Sequence, residues 1–379
     1  MTLIKIAIFA EFPLDVLKRA MAGRGGGHAA TWLPQLAKAW EKQKDYEIHW
    51  CVLDRATRSI ETTICWNQHF HRLPCPSVTS SMLLLRLPQH FVYRKIINQI
   101  KPDLIHCWGT ETLHAVALWT FNGPSILSMQ GIITTCYKTG DLRGWRWRLF
   151  RHWEKSSIQK ASLVSSESKW GLDQVCRIVP NKLMRQIEYG VHPSFYDIVW
   201  KPNPENPRIL FVGGLNRLKG VDILVNMLRT HRSRNWTIVF VGGGYLADEL
   251  RELNDPKIEV LGMLKTLEVQ AEMAKAWALL MPSRADTSPN VVKEARVIGL
   301  PVIGSPHGGH AEYIAHGEDG LIVDTEDPNQ WFESIQKTVS SFENCRAMGQ
   351  KRHAWFREHF RPEKTATAFL NLYRELISK

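Results

Sequence analysis

Nowhere in the 379 residues do apolar side chains run uninterrupted for the ~18 positions that a membrane-spanning helix needs. The first ten residues are apolar, but they have no basic cluster ahead of them and soon meet Glu11 and Asp15. They read as a first strand and not as a signal peptide. Cysteine is sparse: seven residues, Cys51, Cys65, Cys75, Cys107, Cys136, Cys176 and Cys345, with no close pair. That argues against a disulfide framework or a zinc site and points to a reducing cytoplasm. No helix-turn-helix, zinc or RNA-binding signature is found, which argues against nucleic acid as the partner. Acid is in deficit. Asp and Glu total 37 against 48 Lys and Arg, a net charge of +11, so the expected partner is anionic: a nucleotide, a phospholipid surface or an acidic glycan. What remains, 44% hydrophobic and 22% charged, is an ordinary globular chain long enough for two or three domains.

Short apolar runs alternate with longer helical stretches throughout. The first half carries Leu3–Phe9, Glu47–Val52, Leu104–Cys107, Ser125–Met129 and Ser162–Ser166. The second carries Ile209–Val212, Thr237–Val241, Ile258–Leu261, Ala278–Met281, Pro301–Gly304 and Leu321–Val323. Continuous apolar strands separated by helices predict parallel sheets covered on both faces, an α/β class. Three prolines in 201–207 break any helix or central strand there. The expected division is therefore a first domain over 1–192, a linker starting at 193–200 and a second domain over 201–359. Two such sheets facing each other would make a cleft at the carboxyl ends of their strands.

The segment 281–304 carries the most chemistry. It leaves a strand at Met281, and Ser288 followed by Pro289 predicts a helix with Ser as N-cap and Pro first, running to about Ile298 and ended by Gly299. The free amides near Asn290 and Val291 would welcome a phosphate. Asp286 and Glu294, eight residues apart, flank that helix start, and carboxylates accept hydrogen bonds from sugar hydroxyls. Read alone, the two carboxylates equally complement the helix dipole. Two cations, Arg217 and Lys219, follow a strand and a Gly-containing turn over 211–220, where they would neutralise a diphosphate or sit as a solvated loop. Gly25, Gly26 and Gly27 follow the first strand, as a ligand approach or as a plain flexible loop.

In order and spacing, these motifs resemble family 4 glycosyltransferases of the GT-B fold. The matching stretches are Val-Gly-Gly-Leu…Lys219-Gly220, Val-Gly-Gly-Gly244, Pro282-Ser283…Asp286…Glu294-Ala, Gly299-Leu-Pro-Val-Ile and Gly308-Gly309…Glu312. The resemblance covers nearly the whole chain. It implies two Rossmann-like domains facing each other across a cleft, with a nucleotide-sugar held mainly by the second. It also implies sugar transfer with retention, without metal or other cofactor. Glu294 matches the glutamate that holds the ribose. Asp286 stands where the family has a glutamate contacting the sugar, and Lys219 matches the diphosphate lysine. Gly214 stands where the family has an arginine, with Arg217 as its expected replacement. Gly26, Gly27 and Gly243 fall in glycine loops near the donor. Gln130 stands where many members have a sugar-contacting histidine. His106 ends the strand Leu104–Cys107 and, with Glu111, is expected to face the cleft from the acceptor domain, His106 as a catalytic group. A hydrogen-bonded structural histidine is an equal reading at that position. The last helix, about 360–379, is expected to return to the first domain.

The basic, aromatic stretch 143–155 places Trp145, Leu149 and Trp153 on one helical face, with Arg146, Arg148 and Arg151 off it. This predicts either a core helix covered by cations or a helix resting on an anionic membrane, near a glycan or lipid-linked acceptor. The apolar stretch 82–88 is a second candidate surface. The expected activity is thus sugar transfer in cell-surface polysaccharide or glycolipid assembly, in the cytoplasm or on the inner face of the membrane. The alternatives are a sugar-nucleotide epimerase of the same fold, or an NAD-dependent oxidoreductase reading Gly242–Ala247 as a dinucleotide fingerprint.

Overall fold

Along the first strand the side chains alternate between two apolar layers. Ile6 and Ile8 enter one core with Trp50, while Ala7 and Phe9 enter another with Cys51 and Tyr93. A strand buried on both faces needs helices on both, and the period of two assigns each residue its layer. The computed structural model describes residues 3–15, 32–75, 87–140, 142, 144–323 and 326–378. The glycine loop with Gly26 and Gly27, and most of the apolar stretch 82–88, lie outside the described residues. The chain divides into two compact units: Met1–Tyr137 with Leu142–Gly190 and Pro362–Lys379, and Lys138–Asp141 with Val191–Arg361.

Among the described residues of unit 1, eight strands form one sheet: β1 (Ile4–Phe9), β2 (Tyr46–Asp54), β3 (Glu61–Cys65), β4 (Gln68–Pro74), β5 (Leu104–Trp108), β6 (Ser125–Met129), β7 (Leu163–Ser166) and β8 (Met184–Gln186). Their order is β3-β4-β2-β1-β5-β6-β7-β8, parallel except for the β3–β4 hairpin. The final helix, Pro362–Ile377, belongs to this unit. Phe369 and Tyr373 share the core of Ile6 and Trp50, and the Trp40 indole N–H donates to the Ala366 carbonyl at 3.0 Å.

Neither β3 nor β4 reads as an apolar run. The hairpin is made by its turn, with Trp66 (φ 48°) and Asn67 (φ 56°) both left-handed, as a tight two-residue connection demands. On β2 and β4, two histidines join in a chain of fixed direction. The Glu47 carboxylate accepts from His49 Nε2 at 3.0 Å, so His49 Nδ1 is free to accept from His71 Nε2, also at 3.0 Å. His71 Nδ1 in turn accepts from the Thr62 hydroxyl at 2.8 Å. Burial holds both imidazoles at about 4, His49 and His71 alike.

Among the described residues of unit 2, six parallel strands follow the order β11-β10-β9-β12-β13-β14: β9 (Arg208–Val212), β10 (Thr237–Val241), β11 (Ile258–Gly262), β12 (Ala278–Met281), β13 (Val302–Gly304) and β14 (Gly320–Ile322). Leu210, Val239 and Leu279 pack on one side with the helix Asn290–Ile298. Ile209, Phe211, Ile238 and Leu280 pack on the other with the helix Val221–Thr230. The segment 193–200, expected to open a linker, is built into this unit instead. Phe195 is buried in the first of these cores, and the Trp200 indole N–H donates to the Ala276 carbonyl at 2.7 Å. Large aromatic side chains before the prolines anchor the chain there, so the change of unit falls at Gly190 and Val191.

The helix Trp145–Lys160 turns a different face inward from the one expected. Phe150, Glu154, Ser157 and Ile158 are buried, while Trp145 is 71% exposed. The reason is Glu154. Its carboxylate accepts from the amides of Ile133 (2.7 Å) and Thr134 (2.9 Å) and from the Thr110 hydroxyl (3.2 Å), which rotates the helix about that buried acid. Among the described residues no helix is long and apolar enough to cross a membrane.

Candidate active site

In an open parallel sheet, a crevice forms where neighbouring strands send their connections to opposite sides. In unit 2 that point lies between β9 and β12, adjacent in the sheet and far apart in the chain. Glycine lets the loops at this edge close on one another. A Cβ on Gly242 (φ 136°) would sit 1.9 Å from the Gly213 carbonyl oxygen. The Leu215 amide donates to the Gly243 carbonyl at 2.9 Å. Gly220 (φ 73°) caps the helix Val221–Thr230 in main-chain contact with Pro282. Among the described residues, only Met263 comes near the place of a Cβ on Gly243, at 3.8 Å.

Lys219 extends from the β9 loop, and its ammonium forms an ion pair with the Asp286 carboxylate of the β12 loop. Both side chains are largely buried, 26% and 14% exposed. Arg217 is exposed. Its amide donates to the Tyr245 hydroxyl at 2.9 Å, and its guanidinium has no partner among the described residues. Arg284 ties the two loops together. Its guanidinium grips Asp222 through two bonds of 2.7 and 2.9 Å and donates to the Arg217 carbonyl, and its amide donates to Leu218 at 2.9 Å.

The helix after β12 begins one residue later than expected, at Asn290, with Pro289 as N-cap. Ser288 does not cap it; its hydroxyl lies 3.3 Å from that of Tyr313. Gly299 ends the helix left-handed (φ 92°), with Leu300 donating back to Ala295 at 2.9 Å and Gly299 to Arg296 at 3.3 Å, which satisfies the last carbonyls. The first-turn amides of Asn290 and Val291 have no intrahelical acceptor, and the helix dipole favours an anion before them. One turn on, burial pushes the Glu294 carboxyl up to about 7, opposed by the Lys293 ammonium. The carboxyl has no hydrogen-bond partner among the described residues, so it is an acceptor awaiting a donor. Gly214, Arg217, Lys219, Gly243, Asp286, Asn290, Val291 and Glu294 thus gather on the loops and helix start at the strand ends of one sheet.

Two residues there were not anticipated. Arg284 is one; the other is His310, fully buried behind Asp286. The Ser305 hydroxyl spends its only proton on the Ser283 carbonyl, so toward His310 Nε2, 3.1 Å away, it can only accept. Nε2 therefore carries the proton, and Nδ1 is a buried lone pair with no partner among the described residues. Burial depresses this imidazole to about 4. The only signal in sequence was its position inside Gly308-Gly309…Glu312.

In unit 1 the expectation for His106 is corrected. It is fully buried, with Nδ1 2.7 Å from the Tyr373 hydroxyl and Nε2 2.6 Å from the Ser128 hydroxyl, and its ring stacks on Trp108. Both nitrogens are used, and burial holds the ring well below its usual range, so His106 is a structural residue. Glu111 and Gln130 do stand together at the ends of β5 and β6. Gly109 and Gly131 make the berth: a Cβ on Gly109 would lie 2.6 Å from one Glu111 oxygen, and one on Gly131 2.4 Å from the other. The Gly131 amide donates to this carboxyl, which burial pushes up to about 7.

Known proteins resemble the chain in sequence and in fold. The family described as Glycosyltransferase Family 4 matches residues 26–195, and that described as Glycosyl transferases group 1 matches 206–341. An uncharacterized glycosyltransferase of Methanocaldococcus jannaschii is 29% identical over 352 residues, 89% of this chain and 92% of that one. The Vi polysaccharide biosynthesis protein VipC/TviE of Salmonella typhi is 28% identical over 170 residues, 42% of this chain and 28% of that one. Among solved structures, sucrose-phosphate synthase from Thermosynechococcus elongatus shares the fold with a TM-score of 0.79 at 18% identity, over 99% of both chains. Anabaena Alr3699/HepE, in complex with UDP and glucose, gives 0.71 at 15%, over 98% of this chain and 100% of that one. The dinucleotide-fingerprint reading falls with these matches, because the glycines after β10 serve a loop beside the β9 loop and not a first strand. Matched by these two families over 26–195 and 206–341, the chain belongs to the family 4, group 1 glycosyltransferases of the GT-B fold.

Proposed function

We propose that this glycosyltransferase moves a hexosyl group from a nucleoside-diphosphate sugar to a glycan or lipid-linked acceptor, with retention of configuration, in cell-surface polysaccharide or glycolipid assembly. One observation carries the reading. Two cations, two carboxyl groups and an open helix N-terminus gather at the β9/β12 edge of unit 2, which is the chemistry a sugar diphosphate asks for. The Anabaena neighbour, solved with UDP and glucose, supports a nucleotide-sugar donor, and the Salmonella relative supports the polysaccharide setting.

In this reading the diphosphate lies before the Asn290 and Val291 amides, within reach of Lys219 and Arg217. Glu294 accepts from the ribose hydroxyls and Asp286 from the sugar. As the bond to the leaving oxygen breaks, negative charge grows on the diphosphate, and the cations and amides stabilise it most at the transition state. These groups meet the charge without a metal ion. Glu111 and Gln130 hold the acceptor's hydroxyls. The exposed Trp145, Arg146 and Arg148 of the helix Trp145–Lys160 rest on an anionic membrane at the cytoplasmic face.

The test is a panel of nucleotide-sugars, read first by thermal stabilisation and then by release of nucleoside diphosphate with acceptor present. Transfer requires diphosphate release that depends on acceptor, and an anomeric proton in the product with the donor's configuration. Release of a free epimerised sugar without acceptor would replace transfer by epimerisation.

A further inference from the structure

Each of the two groups assigned to opposite ends of the donor is the other's only polar side-chain partner among the described residues. Lys219 is assigned to the diphosphate and Asp286 to the sugar, yet with no donor between them they neutralise each other. The pair is mostly shielded from water, so separating it without replacement leaves two poorly solvated charges. Among the described residues, neither Arg284, His310 nor Arg217 replaces Lys219 for Asp286. The Arg284 guanidinium is committed to Asp222, Glu326 and the Arg217 carbonyl. The buried nitrogen of His310 is a lone pair and cannot donate. Arg217 has a free guanidinium, but its side chain is exposed.

We infer that the Lys219–Asp286 pair selects for the intact nucleotide-sugar and helps expel the spent nucleotide. The inference rests on the glycosyl-transfer reading. An intact donor carries both replacements on one molecule: phosphate oxygens for Lys219 and sugar hydroxyls for Asp286. A free nucleoside diphosphate carries only the first. It must either leave Lys219 with Asp286 or strand a buried carboxylate. Before transfer the donor therefore separates the pair with both charges satisfied. After transfer the sugar is gone from Asp286, the carboxylate competes for Lys219, and re-forming the pair weakens the hold on the product. Asp286 acts here as a competitor of the product as well as a ligand of the substrate. The sign of its effect thus differs between the two molecules.

The experiment is calorimetric titration of the full chain with UDP, GDP and ADP, and with UDP-glucose, GDP-mannose and ADP-glucose. Wild type is compared with Asp286→Asn, and with Asp286→Ser as a second variant whose fold is checked by its melting temperature. For the nucleotide that binds, both variants are expected to hold the free diphosphate about tenfold more tightly than wild type, while the intact sugar conjugate gains less than that or loses affinity. Asp286→Glu keeps a competing carboxylate and should leave diphosphate affinity within about threefold of wild type. Unchanged or weakened diphosphate binding in Asp286→Asn and Asp286→Ser, or an equal gain for both ligands, overturns the inference while leaving glycosyl transfer standing. Failure of every nucleotide and nucleotide-sugar to bind wild type overturns both.

Discussion

Gly220 and Pro282 touch through their main chains: a Cβ placed on Gly220 would lie 2.0 Å from the Pro282 carbonyl oxygen. The contact seals the β9 loop to the β12 loop at the edge where the candidate donor groups gather. It also occurs at a left-handed residue (φ 73°), so a side chain there meets both a clash and backbone strain. Gly220→Ala should lower the stability of unit 2 by about 2 kcal/mol or more, and move Lys219 away from Asp286. The melting temperature and the titration of a nucleotide-sugar check this together; a variant wild-type in both would refute it.

Glu294 should confer a pH dependence on donor binding. Its carboxyl, pushed up to about 7 by burial, would accept from ribose hydroxyls through both oxygens, and most strongly, when ionised. Donor affinity should therefore rise as pH increases through about 7 and level off above it. For stability the sign is opposite. A carboxyl whose folded value is raised contributes stability below its unfolded value, near 4.5, that is lost as pH rises toward 7. Glu294→Gln should flatten both profiles, and Glu294→Ala should abolish transfer while the protein still melts cooperatively.

Removal of the Lys219 ammonium should depress turnover more than donor affinity, because the charge it meets is largest at the transition state. Lys219→Ala is expected to lose about 10²–10³ in kcat. Its donor affinity should change far less, since Asp286 already neutralises the lysine before the donor binds. Single-turnover kinetics beside calorimetry separates the two quantities. An unchanged kcat with a raised KM would remove Lys219 from the leaving-group role.

His106 should matter to folding and not to chemistry. Truncation to Ala leaves the Tyr373 and Ser128 hydroxyls facing a buried void, at an expected loss of about 2–4 kcal/mol. The variant that remains folded at low temperature should turn over at the wild-type rate. A loss of several hundredfold in kcat with unchanged stability would restore a catalytic role.

The histidine chain on β2 and β4 should make unit 1 acid-sensitive. His49 and His71 are held at about 4, below the 6.5 of an unburied imidazole. A depressed base contributes stability above its unfolded value, and that stability is lost as pH falls from about 6.5 toward 4. Lys5, Glu47, His69 and Thr62 face the same cluster, so the comparison must be between variants. His71→Gln keeps a donor toward His49 and removes one titrating ring, so its melting temperature should fall less than that of wild type between pH 6.5 and 4.5.

Much of this architecture can be read from local pattern. Every apolar run named from sequence lies on a strand to within a residue or two, because a strand covered on both faces has to be apolar throughout. The hairpin β3–β4 escaped because its apolar content is thin and its turn, Trp66-Asn67, lacks the glycine that usually marks such turns. Gly214, Lys219, Asp286 and Glu294 were legible because they lie in spaced motifs. The two readings of His106 stay equal in sequence because a strand-end histidine looks the same there whether its nitrogens meet solvent or, as here, Tyr373 and Ser128. The mutual pairing of Lys219 and Asp286, 67 residues apart, and the lone pair of His310 depend on contacts between loops that no local pattern encodes.

The helix Pro362–Ile377 places Phe369 and Tyr373 in the same core as Ile6 and Trp50. Strand β1 thus waits for a helix made only after Val191–Arg361. During synthesis unit 1 remains unfinished on the ribosome while unit 2, Lys138–Asp141 with Val191–Arg361, has all its parts and can close first. Expression of 1–190 alone would leave an apolar sheet face bare and prone to aggregate, whereas a gene in which residues 362–379 are spliced behind residue 190 has the parts it needs to mature.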